Sequence, residues 1–393
     1  MRRAAGYLGA LVVVAAAFAL GFFLTRTEQG AGQSAPPVRA DRPLRLIDEV
    51  RAELTSSYYR WIDPSVLERP TVDQILAGLD DPHTDLLTTS EYASLQEHTQ
   101  GTYSGIGLTV GPARRGLLVT SAAAASPARE AGIRKGDIIV RIDGARTGRL
   151  PFERSLALIK GERGTIVRLT VRRPKEPEPL DFMVVRREIE VPPLDARLVS
   201  WKKQKLAYIR VFSFPAGSAQ RLEQATSDLI RRGVTGAIID LRDNPGGLLS
   251  QAVDVASVYI KDGIVCRTDG LHEEEHEYRV TGVATHSDLP LVVLVNGGSA
   301  SAAEIVAGAL MDHDRATLVG ERTYGKASVQ TVAPLLAGGA LKLTTAKYLT
   351  PAGADITGVG LEPSVVAADN PLTARDEGLQ IARRALGRIL RSQ

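Results

Sequence analysis

The chain has 393 residues, 44% of them hydrophobic and 24% charged, which allows two or three globular domains and excludes general disorder. The formal net charge of +3 is small and evenly spread, so it gives no indication of a nucleic-acid partner. The only cysteine, Cys266, excludes an intrachain disulfide.

The first predicted element is a membrane anchor, residues 1–25. Residues 4–24 are uncharged and follow Arg2 and Arg3; as a helix they would be about 31 Å long, enough to cross a bilayer. A cleaved signal peptide usually has a shorter apolar core, so a retained anchor is favoured over cleavage near the sequence GQSA. The excess of positive charge before the segment predicts a cytoplasmic N-terminus, with everything after residue 25 outside the cytoplasm.

A linker and a helical region are predicted next. Residues 26–43 are rich in glycine, proline and polar residues, which is typical of a linker. In the region 44–100, Asp63 and Pro64 stand in the order of a helix cap and a first-turn residue. Apolar residues at spacings of three and four predict an earlier helix: Leu44, Ile47, Val50, Leu54 and Tyr58.

Residues 101–190 contain short extended runs separated by glycine-containing turns. Three segments in this region resemble a PDZ domain: YSGIGLTV (103–110), SPAREAGIRKGDIIVRIDG (126–144) and PFERSLALIKG (151–161). The resemblance implies a β-rich domain that binds the C-terminal tail of a protein or peptide.

A glycine-rich loop in this region is the predicted tail-binding site. Glycine makes successive backbone N–H groups accessible, so that they can hold a terminal carboxylate while the peptide adds a strand beside them. The alternative is a turn with a purely structural role. The resemblance to PDZ domains assigns the carboxylate-binding loop to Gly105, Ile106, Gly107 and Leu108.

Strands alternate with helices in residues 191–370, which is typical of βαβ units and a largely parallel sheet. A C-terminal helix is predicted at 371–393, and the predicted fold class is α/β with several domains. Functional residues in such folds tend to lie at the carboxyl ends of the strands. Two strand ends stand out, IIDLRDNPGG (238–247) and LVVLVNGGSASAAEI (291–305).

Ser301 is the candidate nucleophile at the second strand end. A serine at a strand-to-helix turn lies beside the unpaired N–H groups of the helix start, which can hold an oxyanion. Ser301 to Glu304 also has the pattern of a capping box, which is the inert alternative. None of the six histidines lies in a turn suited to serve this serine and G-x-S-x-G is absent, so a Ser-His-Asp triad is weakly supported.

A lysine can replace histidine as the base if its surroundings lower its pKa. The segment ERTYGKASVQTV offers Lys326 for this role. On a strand, Lys326, Ser328 and Gln330 would share one face, so that Gln330 could orient the lysine.

Together these motifs resemble the carboxyl-terminal processing peptidases, also called tail-specific proteases, which are membrane-anchored or exported serine peptidases with a PDZ domain. The resemblance runs from about residue 79 to 365 and includes LDDPHTDLL, DLRDNPGG, VNGGSASAAEI, GERTYGKASVQ and LKLTTAKYLTPAG. It implies a ClpP/crotonase-like peptidase core in which Ser301 is the nucleophile, Lys326 the base and Gln330 the residue that orients it. It further implies an oxyanion hole formed by the backbone N–H groups of Ala302 and Gly246.

Two positions depart from the family pattern. Asp355 stands where a basic or polar residue is more usual, and Ser364 stands where aspartate commonly follows the proline. Both lie outside the proposed catalytic set, so they concern substrate preference or details of the sheet.

Two other enzyme signatures match formally. The segment HEEEH, with His272, Glu273 and His276, has the H-E-x-x-H pattern of zinc proteases, which requires a helix. No apolar stripe is present to bury such a helix, and the resemblance implies a hairpin there, so no metal site is predicted. The segment from Ser200 to Lys203 matches the S-x-x-K pattern of penicillin-binding proteins, but neither S-D-N nor K-T-G follows.

The sequence thus predicts an extracytoplasmic endopeptidase that recognises protein tails, cleaves by acyl transfer and needs no metal or organic cofactor. The alternative from another class is a membrane-tethered PDZ binding module that is catalytically inactive. Retention of Ser301, Lys326 and Gln330 speaks against it. The natural substrate, an activating partner and a homo-oligomer are left open.

Overall fold

The computed structural model describes residues 42–369, 373 and 375–392. The anchor predicted at residues 1–25, and all but the end of the predicted linker, therefore lie outside the described residues. No helix within the described part is long and apolar enough to span a membrane. The described chain forms two compact units, residues 101–191 and residues 42–100 together with 192–392.

The larger unit begins with helices that form where their sequence patterns predicted them. The residues spaced by three and four are buried from Ile47 to Tyr58. Asp63 caps the second helix by accepting a hydrogen bond from Ser65 N–H at 2.9 Å, and Pro64 stands in its first turn. The elements are α1 (Arg42–Ser57), α2 (Pro64–Leu67), α3 (Val72–Gly78), β1 (Asp85–Leu87) and α4 (Thr89–Gln100).

The smaller unit is β-rich. Five strands form a sheet in the order β3-β4-β5-β7-β8, with β6 beside β5, and β2 pairs with β9. Within this sheet β3 pairs only with β4, so it is an edge strand. The elements are β2 (Thr102–Gly105), β3 (Leu108–Ala113), β4 (Gly116–Ala122), α5 (Pro127–Glu130), β5 (Ile138–Ile142), β6 (Ala145–Arg146), the 3-10 helix Thr147–Arg149, α6 (Phe152–Ile159), β7 (Ile166–Arg172), β8 (Leu180–Val185) and β9 (Arg187–Glu190).

The remainder of the larger unit supplies the alternating strands and helices that the sequence predicted. Its elements are β10 (Leu194–Trp201), β11 (Gln204–Val211), α7 (Ser218–Arg231), β12 (Ala237–Asp240), α8 (Leu249–Ser257), β13 (Ile264–Gly270), β14 (Glu273–Arg279), β15 (Leu291–Val295), α9 (Ala302–Asp312), β16 (Thr317–Gly320), β17 (Ser328–Pro334), β18 (Ala340–Leu349), β19 (Val365–Val366) and α10 (Glu377–Ser392).

The central sheet has the order β10-β11-β12-β15-β16-β19, and all its pairs are parallel except β10 with β11. Every residue of β15 is buried, because the sheet is covered on both faces. Apolar residues of α7, α8 and α9 pack on one face, and those of α10 pack on the other. This is the layered α/β architecture expected from the sequence.

A second sheet carries the lysine region. It is antiparallel, in the order β1-β18-β13-β14, and β17 also pairs with β18. Leu341 and Leu343 of β18 share an apolar core with Val50 and Leu54 of α1. The N-terminal helices therefore belong to the same compact unit as the central sheet.

Candidate active site

The two strand ends predicted to carry the chemistry lie side by side, because β12 and β15 are neighbours in the central sheet. Asp243 N–H donates to Asn296 Oδ1 at 2.9 Å, and Asn296 Nδ2 donates back to Asp243 Oδ1 at 2.9 Å. Ala300 N–H also donates to Asn244 O at 2.9 Å. These bonds join the two turns at the carboxyl edge of the sheet.

Ser301 immediately precedes α9 and has an unusual backbone conformation. Its φ is 57° and its ψ is −119°. Positive φ is uncommon for residues other than glycine, and such strain concentrates at functional sites. The residue is buried, and its hydroxyl oxygen makes no hydrogen bond within the described part of the chain. The hydroxyl is therefore available to a substrate or a base.

Glu304 connects the serine to the lysine segment, a role that the sequence reasoning missed. Its buried carboxylate accepts hydrogen bonds at Oε2 from the N–H groups of Ser301 and Lys326, both at 2.9 Å. At Oε1 it accepts from Gly325 N–H at 2.7 Å and from Thr323 Oγ1 at 2.5 Å. Burial raises the pKa of Glu304, while these hydrogen bonds oppose the shift. One carboxylate thus holds the backbones of both proposed catalytic residues.

Lys326 lies in the loop before β17, two residues ahead of the strand, and not on the strand as the sequence predicted. It is only 7% exposed. Burial lowers the pKa of Lys326 to about 7, with the positive charge of Lys342 acting in the same direction, and Asp81 and Glu304 acting against it. A lysine in this environment can lose its proton near neutral pH and act as a base.

Gln330 is buried on β17, but its predicted hydrogen bond with Lys326 is not formed through its oxygen. Its Nε2 donates to Ser328 Oγ at 2.8 Å, and its Oε1 has no hydrogen-bond partner among the described residues. The prediction that Lys326, Ser328 and Gln330 share one face requires a strand that begins at Lys326 or earlier. Since β17 begins at Ser328, the two-residue alternation does not extend to the lysine.

Gly246 packs directly against the proposed nucleophile. Its φ is 110°, and an added Cβ would lie 2.9 Å from Ser301 Cβ and 3.0 Å from Ala302 N, so only glycine fits. The Gly246 N–H, however, donates to Asn244 Oδ1 at 2.9 Å. The predicted oxyanion donor is therefore engaged in this structure. Ala302 is the first residue of α9, where backbone N–H groups lack intrahelical acceptors.

The predicted tail-binding loop lies between β2 and the edge strand β3 in the smaller unit. Gly107 has a φ of 75°, and Ile106 is fully buried. The carbonyl of Ile106 accepts from Ala128 N–H at 3.0 Å, and that of Gly107 accepts from Ala123 N–H at 2.9 Å. Leu108 begins β3, so an added peptide strand would start beside the loop.

The H-E-x-x-H segment lies in a β-hairpin. His272 precedes β14, and His276 lies on it opposite Thr268. Residues four apart on a strand are separated by about 13 Å, so these histidines lack the helical spacing of a zinc protease. The S-x-x-K match lies at the turn between β10 and β11.

The two positions outside the family pattern lie after β18. Asp355 forms an ion pair with Lys347, with Oδ2 at 3.6 Å from Nζ. Ser364 is exposed immediately before β19. The ion pair of Asp355 does not involve the proposed catalytic residues.

Comparisons with known proteins agree with this architecture. Residues 205–367 match the model of peptidase family S41, and residues 118–173 match a PDZ domain. The carboxyl-terminal-processing protease of Synechocystis sp. is 35% identical over 342 residues, which cover 84% of this chain and 80% of that protein. The carboxy-terminal-processing protease of Bartonella bacilliformis is 33% identical over 345 residues, covering 86% of this chain and 78% of that protein.

A solved structure extends the likeness to the fold. The photosystem II D1 C-terminal processing protease superposes with a TM-score of 0.54 at 31% identity, covering 89% of this chain and 98% of that one. The family predicted from the motifs is confirmed by these relatives. The chain belongs to the carboxyl-terminal-processing serine proteases of peptidase family S41.

Proposed function

We propose that this protein is an active endopeptidase in which Ser301 and Lys326 form the catalytic dyad. The observation that carries the proposal is the Glu304 carboxylate, which accepts hydrogen bonds from the backbone N–H groups of both residues. It holds a serine whose backbone is strained, and whose hydroxyl has no hydrogen-bond partner in the described part of the chain, near a buried lysine. Burial lowers the pKa of this lysine to about 7. A nucleophile beside a neutral amine is what acyl transfer requires.

The reaction follows from these roles. Neutral Lys326 removes the proton from Ser301 Oγ as the oxygen attacks the scissile carbonyl carbon. The resulting lysine ammonium then donates this proton to the leaving amine as the C–N bond breaks, which leaves an acyl-enzyme. Water then attacks the ester carbonyl as Lys326 removes its proton. The lysine ammonium returns this proton to Ser301 Oγ as the ester C–O bond breaks, which releases the new C-terminus and regenerates the serine hydroxyl and the neutral lysine.

The tetrahedral oxyanion needs hydrogen-bond donors that are already in place. Ala302 N–H supplies one at the start of α9, and Gly246 N–H supplies the second when it exchanges its bond with Asn244 Oδ1 for the oxyanion. Gln330 orients Lys326 through its Oε1, a buried oxygen for which the described residues supply no hydrogen-bond partner. The lysine can donate an N–H to this amide oxygen both as a neutral amine and as an ammonium, so the bond is compatible with either state of the base.

Substrates are proteins recognised by their C-terminal tails. The edge strand β3 and the adjoining loop from Gly105 to Leu108 support this, since a peptide can extend the sheet while its carboxylate meets the loop. We place the reaction outside the cytoplasm, with the apolar segment 4–24 as the anchor, on the pattern of charges around that segment.

The test is proteolysis of an unfolded protein with an apolar tail by the full chain and by its Ser301→Ala variant. Ser250→Ala is the matched control, because Ser250 is exposed on α8. We expect hydrolysis by the parent and the control and almost none by Ser301→Ala. A parent chain that binds the tail without cleaving it would instead support the inactive binding module.

A further inference from the structure

The segment from Asp81 to Thr84, part of the motif LDDPHTDLL, is built around a buried carboxylate. Asp81 Oδ2 accepts hydrogen bonds from Thr84 Oγ1 at 2.6 Å and from Thr344 Oγ1 at 2.8 Å, and its Oδ1 accepts from His83 N–H at 2.9 Å. Burial alone would raise the pKa of Asp81, but these hydrogen bonds hold it below its usual value. The carboxylate is therefore ionised at neutral pH.

The same hydrogen bonds place Asp81 on the part of the sheet that carries Gln330. Thr344 of β18 lies directly opposite Gln330 of β17, so their side chains share one face of the sheet. Thr344 N–H also donates to Thr84 Oγ1 at 3.0 Å, which fixes the loop on the strand. A fixed negative charge is thus held against the strand pair at Gln330, and this charge favours the protonated form of Lys326.

Lys342 brings a positive charge to the same face. It lies two residues before Thr344 on β18, opposite Val332 of β17 and Asp85 of β1. Its side chain is only 2% exposed. Burial lowers the pKa of Lys342, while Asp85 and Asp81 favour its charged form. A buried lysine is unusual, and no step of the proposed reaction uses this one.

We propose that Lys342 and Asp81 are opposing positioning residues that act on the proton of Lys326 and so set the pH at which the peptidase becomes active. The inference rests on the proposed base role of Lys326. The Lys342 charge favours the neutral, reactive lysine, and the Asp81 charge favours the protonated one. Lys342 lies on β18, and Asp81 lies in the loop before β1.

Among the described residues, Glu304 and His83 are two further titratable groups that interact with Lys326. Glu304, on α9, favours the protonated lysine. His83 lies in the same loop as Asp81, and burial, followed by the charge of Lys326, lowers its pKa to about 4. His83 is therefore neutral in the working range and adds no charge there. Replacing Glu304 would remove the hydrogen bonds that hold the backbones of Ser301 and Lys326. The charges of Lys342 and Asp81 can be removed without breaking those bonds.

The experiment compares pH profiles of kcat/KM for the full chain and the variants Lys342→Met and Asp81→Asn. Removing the positive charge should raise the pKa of Lys326 and move the acidic limb to higher pH by about one unit. Activity of Lys342→Met should then fall about five-fold at pH 7 and recover by pH 9, since the base is neutral there. Asp81→Asn should move the limb in the opposite direction.

Controls separate this effect from a loss of structure. Lys342→Arg keeps the charge and should keep the limb, and Lys347→Met removes a 41% exposed lysine from the same strand and should leave the profile unchanged. Thermal unfolding identifies variants that do not fold. The pH dependence of Ser301 labelling by a fluorophosphonate gives a second readout that does not depend on substrate binding.

The outcomes distinguish this inference from the proposed function. The opposing effects of Lys342 and Asp81 on Lys326 would be overturned if both variants lost the same fraction of kcat/KM at every pH. They would also be overturned if the acidic limbs of both profiles coincided with that of the parent. An inactive Lys326→Ala variant would still support the dyad in either case. A Lys326→Ala variant that keeps the parent profile would overturn the dyad, and this inference with it. An acidic limb at higher pH in Lys342→Met and at lower pH in Asp81→Asn would support both the dyad and the opposing effects of these two residues.

Discussion

Replacing Arg242 with methionine should destabilise the larger unit, because Arg242 neutralises a buried carboxylate beside the proposed oxyanion turn. Its Nη2 donates to Asp240 Oδ2 at 2.6 Å, and its two terminal nitrogens donate to the carboxylate of Asp376, each at 2.9 Å. Asp240 is 0% exposed at the end of β12, and the arginine side chain is 11% exposed. Methionine preserves much of the apolar stem but leaves Asp240 with Tyr208 Oη, at 2.7 Å, as its remaining side-chain partner.

The size of the expected stability loss follows from the burial of Asp240. Removing one partner of a buried ion pair costs about 3–5 kcal/mol, because the other charge stays desolvated. Asp376 and Asp369 are more than 40% exposed, so their pairs with Arg242 contribute little. We therefore expect a loss of about 3–4 kcal/mol. At about 2–4 °C per kcal/mol for a unit of this size, the Tm should fall by about 6–16 °C.

Calorimetric unfolding of the full chain at pH 7 measures this shift. Arg231→Met is the control, because its pair with Asp228 is exposed and should be worth less than about 1 kcal/mol. Adding Asp240→Asn to Arg242→Met removes the unpaired charge and should restore part of the loss. A loss below about 1 kcal/mol in Arg242→Met, or no recovery in the double variant, would refute the reasoning.

Three further predictions concern activity. Ser301→Ala and Lys326→Ala should each remove nearly all peptide hydrolysis, and the double variant should be little worse, because residues that act as one unit are not additive. Since burial lowers the pKa of Lys326 to about 7 and the base must be neutral, kcat/KM should rise through pH 7; a flat profile from about pH 6 to 9 would contradict this role. Amidating the C-terminus of a peptide substrate should weaken its binding by about one to two decades, which a comparison of acid and amide measures; equal binding would rule out tail recognition.

The layered α/β core was predictable because its signals are local. The strand LVVLV is apolar throughout, as a strand covered on both faces must be, and glycine and serine mark the turn that follows it. Asp63 and Pro64 likewise identify a helix start within a few residues. Each of these patterns reports on neighbouring residues, so no knowledge of the tertiary structure was needed.

The role of Glu304 was not predictable in the same way. Its distance from Ser301 in the sequence indicates a capping box, and the bond to Ser301 N–H is indeed formed. Its other partners, Thr323, Gly325 and Lys326, are far from it in the sequence and are brought to it only where the loop before β17 meets the first turn of α9. The proposed effect of Asp81 and Lys342 on Lys326 has the same origin. Asp81 is far from Lys342 in the chain and contacts β18 only through the tertiary structure, in its hydrogen bond with Thr344.

The local sequence and the family resemblance assign different hydrogen-bond acceptors to one group, the backbone N–H of Gly246. An asparagine side chain commonly accepts a hydrogen bond from the backbone two residues on, and Asn244 does so with Gly246 N–H. The resemblance assigns the same N–H to the oxyanion. Gly246 also abuts Ser301, so the N–H need only exchange one acceptor for another without a change in its location. Because an oxyanion is charged, it is the stronger acceptor, and it would displace the neutral amide oxygen as the tetrahedral intermediate forms.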